Sequence, residues 1–112
     1  MNKLDGKIFA NACASTFEMH NRNGSPNTMD ILLQGSLFVL AIDELSNKDF
    51  KHFCKLVKIK NQQLAESLID VGSSFDLLKD YADRVPPNLE LISNLSNLNK
   101  EEMRIAVEIL NK

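Results

Sequence analysis

The sequence predicts an all-α fold, a compact bundle of five to seven helices in a single domain spanning residues 1–112. Three observations predict it. Apolar residues recur at three- and four-residue spacing from end to end. No alternating run of β-branched residues appears, and no Asn-Gly or Asp-Gly joins two strand-like stretches. The breaks between periodic segments begin with residues that cap helices: Asn27, Ser46, Asn61, Ser73 and Asn99.

The first helix presents Leu4, Ile8, Cys13 and Phe17 near one face, with Phe9 and Ala12 beside them, and ends around Met19. The polar run His20–Asn27 reads as a flexible loop. Asn27 or Thr28 opens the second helix, which carries Ile31, Leu32, Leu37, Phe38, Leu40, Ala41, Ile42 and Leu45. A helix apolar on most of its circumference is either central or shared with a second copy. Leu37, Phe38 and Ile42 are therefore the candidate dimer seam. Gly35-Ser36 either admits a neighbouring helix closely or is a tolerated small pair costing about 1 kcal/mol against Ala.

Ser46 with Asp49 reads as a capping box for the third helix, which runs to about Val57. Phe50, Phe53, Cys54 and Val57 face inward, opposite Lys48, Lys51, Lys55 and Lys58. Asn61 caps the fourth helix, with Leu64, Ala65, Leu68 and Ile69 as its buried face and Gly72 as a left-handed terminator. Ser73 and Asp76 suggest a further capping box before Phe75, Leu77, Leu78, Tyr81 and Ala82, and Pro86-Pro87 ends that helix. A short helical turn follows near residues 89–95. Asn99 and Glu102 then open the last helix, with Leu98 and Met103 as a hydrophobic staple and Met103, Ala106, Ile109 and Leu110 inward.

The chain has 112 residues, 44% of them apolar, enough for one core. Its net charge of −2 is unevenly placed. Residues 1–45 carry −2, residues 46–65 carry five lysines against Asp49 for +4, and residues 66–112 carry −4. An overall acidic chain does not bind nucleic acid indiscriminately. A local basic face still acts, because screening confines fields to about 8–10 Å at physiological salt. Cys13 and Cys54 match no zinc or redox spacing and read as buried reduced thiols. Asp5 and Lys7 interrupt any secretory signal, and the longest apolar run, Leu37–Ile42, is far short of a membrane span. The expected location is cytoplasmic, with no membrane partner.

The lysine cluster is the one local feature above background. Two helices joined by a tight turn, residues about 47–72, fit a helix-turn-helix. Phe53, Val57, Ile59, Leu64 and Leu68 clamp the pair, and Cys54 takes the small crossing position. Lys58 stands where glycine is usual. Asn61, Gln62, Gln63 and Glu66 then face base edges, since Asn and Gln pair bidentately with adenine. Lys48, Lys51, Lys55, Lys58 and Lys60 contact phosphates and set register. A merely solvated face also shows lysines opposite apolar residues. Such a face usually interleaves Glu at i,i+4, and the third helix has none.

The stretch from Phe50 to Glu108 resembles small phage- and plasmid-encoded DNA-binding proteins, including the central domain of ParB-type partition proteins. The likeness lies in the order of parts: the helix-turn-helix at Phe50–Val71, a further helix, Val85-Pro86-Pro87-Asn88 with a Leu-rich segment, then a helix opened by Asn99-Lys100-Glu101-Glu102. It covers about half of the chain. The resemblance implies a transcriptional regulator or a phage or plasmid accessory factor. The nucleotide-binding box of full partition proteins has no counterpart, so no nucleotide cofactor is implied.

Enzymatic patterns are missing. There is no Gly-rich phosphate loop, Gly-x-Ser-x-Gly or His-Glu-x-x-His, and neither a catalytic residue, a metal nor a cofactor is expected. His52 and Cys54, two apart, diverge on a helix. The expected partner is double-stranded DNA, bound by a homodimer that reads two half-sites. The rival reading is a helical protein-interaction module, an adaptor, inhibitor or chaperone, that binds a protein partner and no nucleic acid.

Overall fold

A computed structural model describes residues 6–20, 26–59 and 61–111. Among them every regular element is helical. The order is α1 (Gly6–Met19), α2 (Thr28–Glu44), α3 (Asn47–Leu56), α4 (Gln62–Ser73), α5 (Phe75–Leu78), a 3-10 helix (Lys79–Arg84), α6 (Leu89–Ser96) and α7 (Lys100–Leu110). Leu4, Lys60 and most of the expected 20–27 loop (residues 21–25) lie outside the described residues.

The caps expected at the starts of α2, α4 and α7 are present. Asn27 Oδ1 accepts from the Asp30 amide at 2.8 Å, and the Asp30 carboxylate accepts from the Asn27 amide at 3.0 Å. Asn99 and Glu102 close the same reciprocal pair at 2.8 and 3.0 Å. Each pair satisfies two amides that the first turn of a helix leaves without partners.

Helix α2 is the axis of the molecule. It packs on α4 along its length and also touches α1, α3, α5 and the 3-10 helix. Two cores form around it. The first joins α1, α2, α3 and α4 through Ala10, Cys13, Phe17, Phe38, Ala41, Phe53, Val57 and Leu68. Phe53 is its hub, with ring centroids 6.1 Å from Phe17 and 6.0 Å from both Phe38 and Phe50. The second core joins α2, α4, α5, α6 and α7 through Ile31, Leu32, Val71, Leu78, Ile92, Leu95, Met103 and Val107. The Thr28 hydroxyl donates to the Val85 carbonyl, which fixes the start of α2 to the extended residue before Pro86-Pro87.

Several expectations are corrected. Phe38 is wholly buried in the first core and Leu37 packs against it, so the seam Leu37, Phe38 and Ile42 is mostly internal to one chain. Only Ile42 reaches the surface. Five neighbouring elements cover most of the apolar circumference of α2, and Met29, Leu40 and Ile42 remain exposed. Gly72 does not terminate α4 but lies inside it, where α4 crosses α2 at Gly35. Of the two readings of Gly35, close approach is the one realised.

Ser73 is likewise inside α4. Ser74 precedes α5 without capping it, because its hydroxyl donates to the Ser96 carbonyl of α6 at 2.9 Å. The buried face of α1 is Ala10, Cys13, Ala14 and Phe17, whereas Ile8 and Ala12 are exposed. On α7 the buried residues are Met103 and Val107; Ile109 and Leu110, expected inward, are exposed. On both helices part of the apolar surface therefore stays exposed.

Candidate nucleic-acid interface

Helix α3 starts at Ser46, whose Oγ accepts from the Asp49 amide at 3.2 Å and donates to the Asp49 carboxylate at 3.1 Å. This differs from the expected capping box, in which the carboxylate accepts the N-cap amide. It also decides the electrostatics. Asp49, the one acid among residues 46–65, is held at the helix start, where a negative charge is favourable, and forms no ion pair with a described lysine.

Burial of Phe53 and Val57, with Phe50 and Cys54 packed beside them, sets the rotation of α3. The opposite face is therefore Lys48, Lys51 and Lys55, all exposed. With His52 they line an open, shallow groove of about 420 Å³. His52 Nε2 lies 3.2 Å from Asn11 Oδ1 of α1, which holds the imidazole at the groove edge. None of Lys48, Lys51, Lys55 or Lys58 makes an ion pair with any described residue.

The helix ends in a Schellman motif. The Ile59 amide donates to the Cys54 carbonyl at 3.0 Å, and the Lys58 amide to the Lys55 carbonyl at 3.3 Å. The motif requires a left-handed residue between helix and turn, and Lys58 supplies it with φ 61°. The position where a helix-turn-helix usually has glycine thus has the backbone that glycine suits, carried by a lysine.

Asn61 caps α4, its Oδ1 accepting from the Leu64 amide at 2.8 Å. The Gln62 amide donates to the Glu66 carboxylate at 3.0 Å. Gln63 makes no side-chain hydrogen bond within the described residues. All four proposed base-reading residues, Asn61, Gln62, Gln63 and Glu66, are exposed. Their freedom differs: Gln63 has its whole amide available, Asn61 keeps its two N–H donors, and Gln62 and Glu66 must part before either reads a base.

The expected clamp is indirect. Phe53, Val57, Ile59, Leu64 and Leu68 do meet in the first core. However, α3 packs chiefly on α1 and α4 chiefly on α2, with little direct contact between α3 and α4. The lysine row and the amide tip are positioned through a shared core rather than by one helix gripping the other.

Sequence reasoning missed His52 as part of the groove. Its signal was available, since His52 lies four residues after Lys48 on the same helix. Elsewhere the chemistry is quiet. Burial pushes the Cys13 and Cys54 thiols above their usual range, which disfavours the reactive thiolate. Among the described residues no group of three or more His, Cys, Asp or Glu could hold a metal ion. No described helix is long and apolar enough to cross a membrane. No family model matches the chain, and comparison with curated proteins and with solved structures finds no match.

Proposed function

We propose that this chain binds duplex DNA, as a small transcriptional regulator or a phage or plasmid accessory factor. Lys48, Lys51 and Lys55 lie along the phosphate backbone, and the Asn61–Gln63 tip turns to base edges in the major groove. One observation carries the reading: a row of lysines free of ion pairs with described residues, in a chain of net charge −2, where the one acid among residues 46–65, Asp49, is tied to Ser46. A face that only keeps a protein soluble gains nothing from such segregation.

Binding to a fluorescent duplex, followed by anisotropy across salt concentration, tests it. The contacts of Lys48, Lys51 and Lys55 alone contribute about −2.7 to the slope of log K against log salt. Changing Lys48, Lys51 and Lys55 together to Ala should abolish binding and leave the helical circular dichroism unchanged. Parent-like binding by that variant defeats the proposal.

A protein-interaction module is the second reading, and one observation favours it. Ile105 and Ile109 stand one turn apart on α7, 44% and 64% exposed, beside Leu110 at 39%. Isolated exposed apolar residues are ordinary, whereas a helical pair at this spacing fits a partner's groove. If DNA binding is by a homodimer, this face and not the interior of α2 supplies the seam. Replacing both isoleucines by Lys should leave a self-associating protein monomeric by light scattering; a parent already monomeric at micromolar concentration removes the dimer.

A further inference from the structure

We infer that Lys58 is a phosphate-binding residue that the turn keeps in place of the glycine its backbone favours, at a cost in stability. The inference rests on the DNA reading and extends it to a residue that joins the lysine row to the amide tip.

A Schellman end needs the residue after the C-cap in the left-handed region, and Gly is the residue usually found there. Among the described residues Lys58 is the only non-glycine with positive φ. Asn or Asp in that region can hydrogen-bond locally through a short polar side chain, which a lysine cannot do. Nothing in the packing explains the choice either. The Lys58 side chain is exposed and makes no ion pair or hydrogen bond within the described residues, while the motif's apolar partners are Ile59 and Cys54. Its remaining attribute is a positive charge at the junction of α3 and α4, following Lys48, Lys51 and Lys55 along the chain and preceding the Asn61 cap. Strained backbone retained against an easy alternative is characteristic of functional positions.

A purely local benefit is the competing cause. An ammonium near the C-terminus of α3 meets the negative end of the helix dipole. Lys55 already provides that in the last turn.

Three variants separate the causes: Lys58→Gly, Lys58→Met and Lys58→Arg, each measured for thermal unfolding and for binding to one duplex from 50 to 200 mM salt. Lys58→Gly should raise Tm by about 4–6 °C, since relief of a left-handed non-glycine residue is worth about 1 kcal/mol. It should also weaken binding about 5- to 10-fold at 0.1 M salt and reduce the salt slope by about 0.9, the signature of one lost phosphate contact. Lys58→Met keeps the strain and removes the charge, so binding should fall without the rise in Tm. Lys58→Arg should bind like the parent. Full binding by both Lys58→Gly and Lys58→Met overturns the inference and leaves the DNA reading standing. A Lys58→Gly protein no more stable than the parent overturns it too. A parent that binds no duplex ends the DNA reading itself.

Discussion

Gly35 of α2 and Gly72 of α4 pass back to back, so close that a Cβ built on Gly35 meets the Gly72 nitrogen at 2.8 Å and the Leu68 carbonyl oxygen at 2.9 Å. This crossing sets the α2–α4 packing and, through it, where the α4 tip stands relative to the rest of the bundle. Small-residue crossings allow backbones nearer than the usual 8–10 Å between helix axes.

Alanine at either glycine should therefore destabilise the protein despite its better helix propensity. The gain of about 1 kcal/mol from propensity is outweighed by a clash with backbone, which cannot rotate aside. Gly72→Ala should cost about 2–3 kcal/mol in urea unfolding, and Gly35→Ala somewhat less. The double variant should cost less than the sum, because both break one contact. Near-neutral single variants contradict the crossing.

Asn61 has two jobs that can be separated. Asn61→Asp keeps the cap, because a carboxylate also accepts from the Leu64 amide, but it places a negative charge at the face proposed to meet DNA. Stability should hold within about 0.5 kcal/mol while duplex binding falls. Asn61→Ala loses the cap and about 1 kcal/mol. If Asn61→Asp binds as well as the parent, the α4 tip does not approach DNA.

The Thr28 hydroxyl and the Val85 carbonyl are buried and, among the described residues, pair with each other alone. Thr28→Val keeps the shape and leaves the carbonyl without a donor, at a cost of about 1–3 kcal/mol. Thr28→Ser keeps the donor and should recover most of it. Equal unfolding midpoints for the two variants contradict the hydrogen bond.

Cys13 and Cys54 both favour the neutral thiol, because burial penalises the thiolate. A raised native pKa stabilises the fold fully below the ordinary thiol range, and that contribution erodes as pH rises through the native value. Replacing both by Ala should flatten the alkaline loss of stability while leaving neutral-pH chemistry untouched. Iodoacetamide at pH 8 should modify the native thiols far more slowly than the unfolded ones; equal rates contradict their burial.

How much of this was legible before folding differs by element. The helical class, the starts of α2, α4 and α7 and the outward lysine face follow from local rules, since capping and 3.6-residue periodicity operate within a few residues. Gly72 departs from the terminator expectation because a glycine near a helix end looks the same in sequence whether it ends that helix or, as here, meets another. The expected Ser73/Asp76 capping box does not form, because Ser73 lies inside α4 and the neighbouring Ser74 donates to Ser96. Both departures arise from contacts tens of residues away in the chain.

The amino-acid order by itself determined which segments are helical and that cationic side chains gather on one face of α3. Only the tertiary structure decided that Gly35 meets Gly72, that Phe38 is core rather than seam, and that α3 and α4 are joined through a shared core. The reason is one of range. Propensity and amphipathic spacing are properties of adjacent residues, whereas which apolar faces find each other, and how closely, depends on the summed packing of the whole chain.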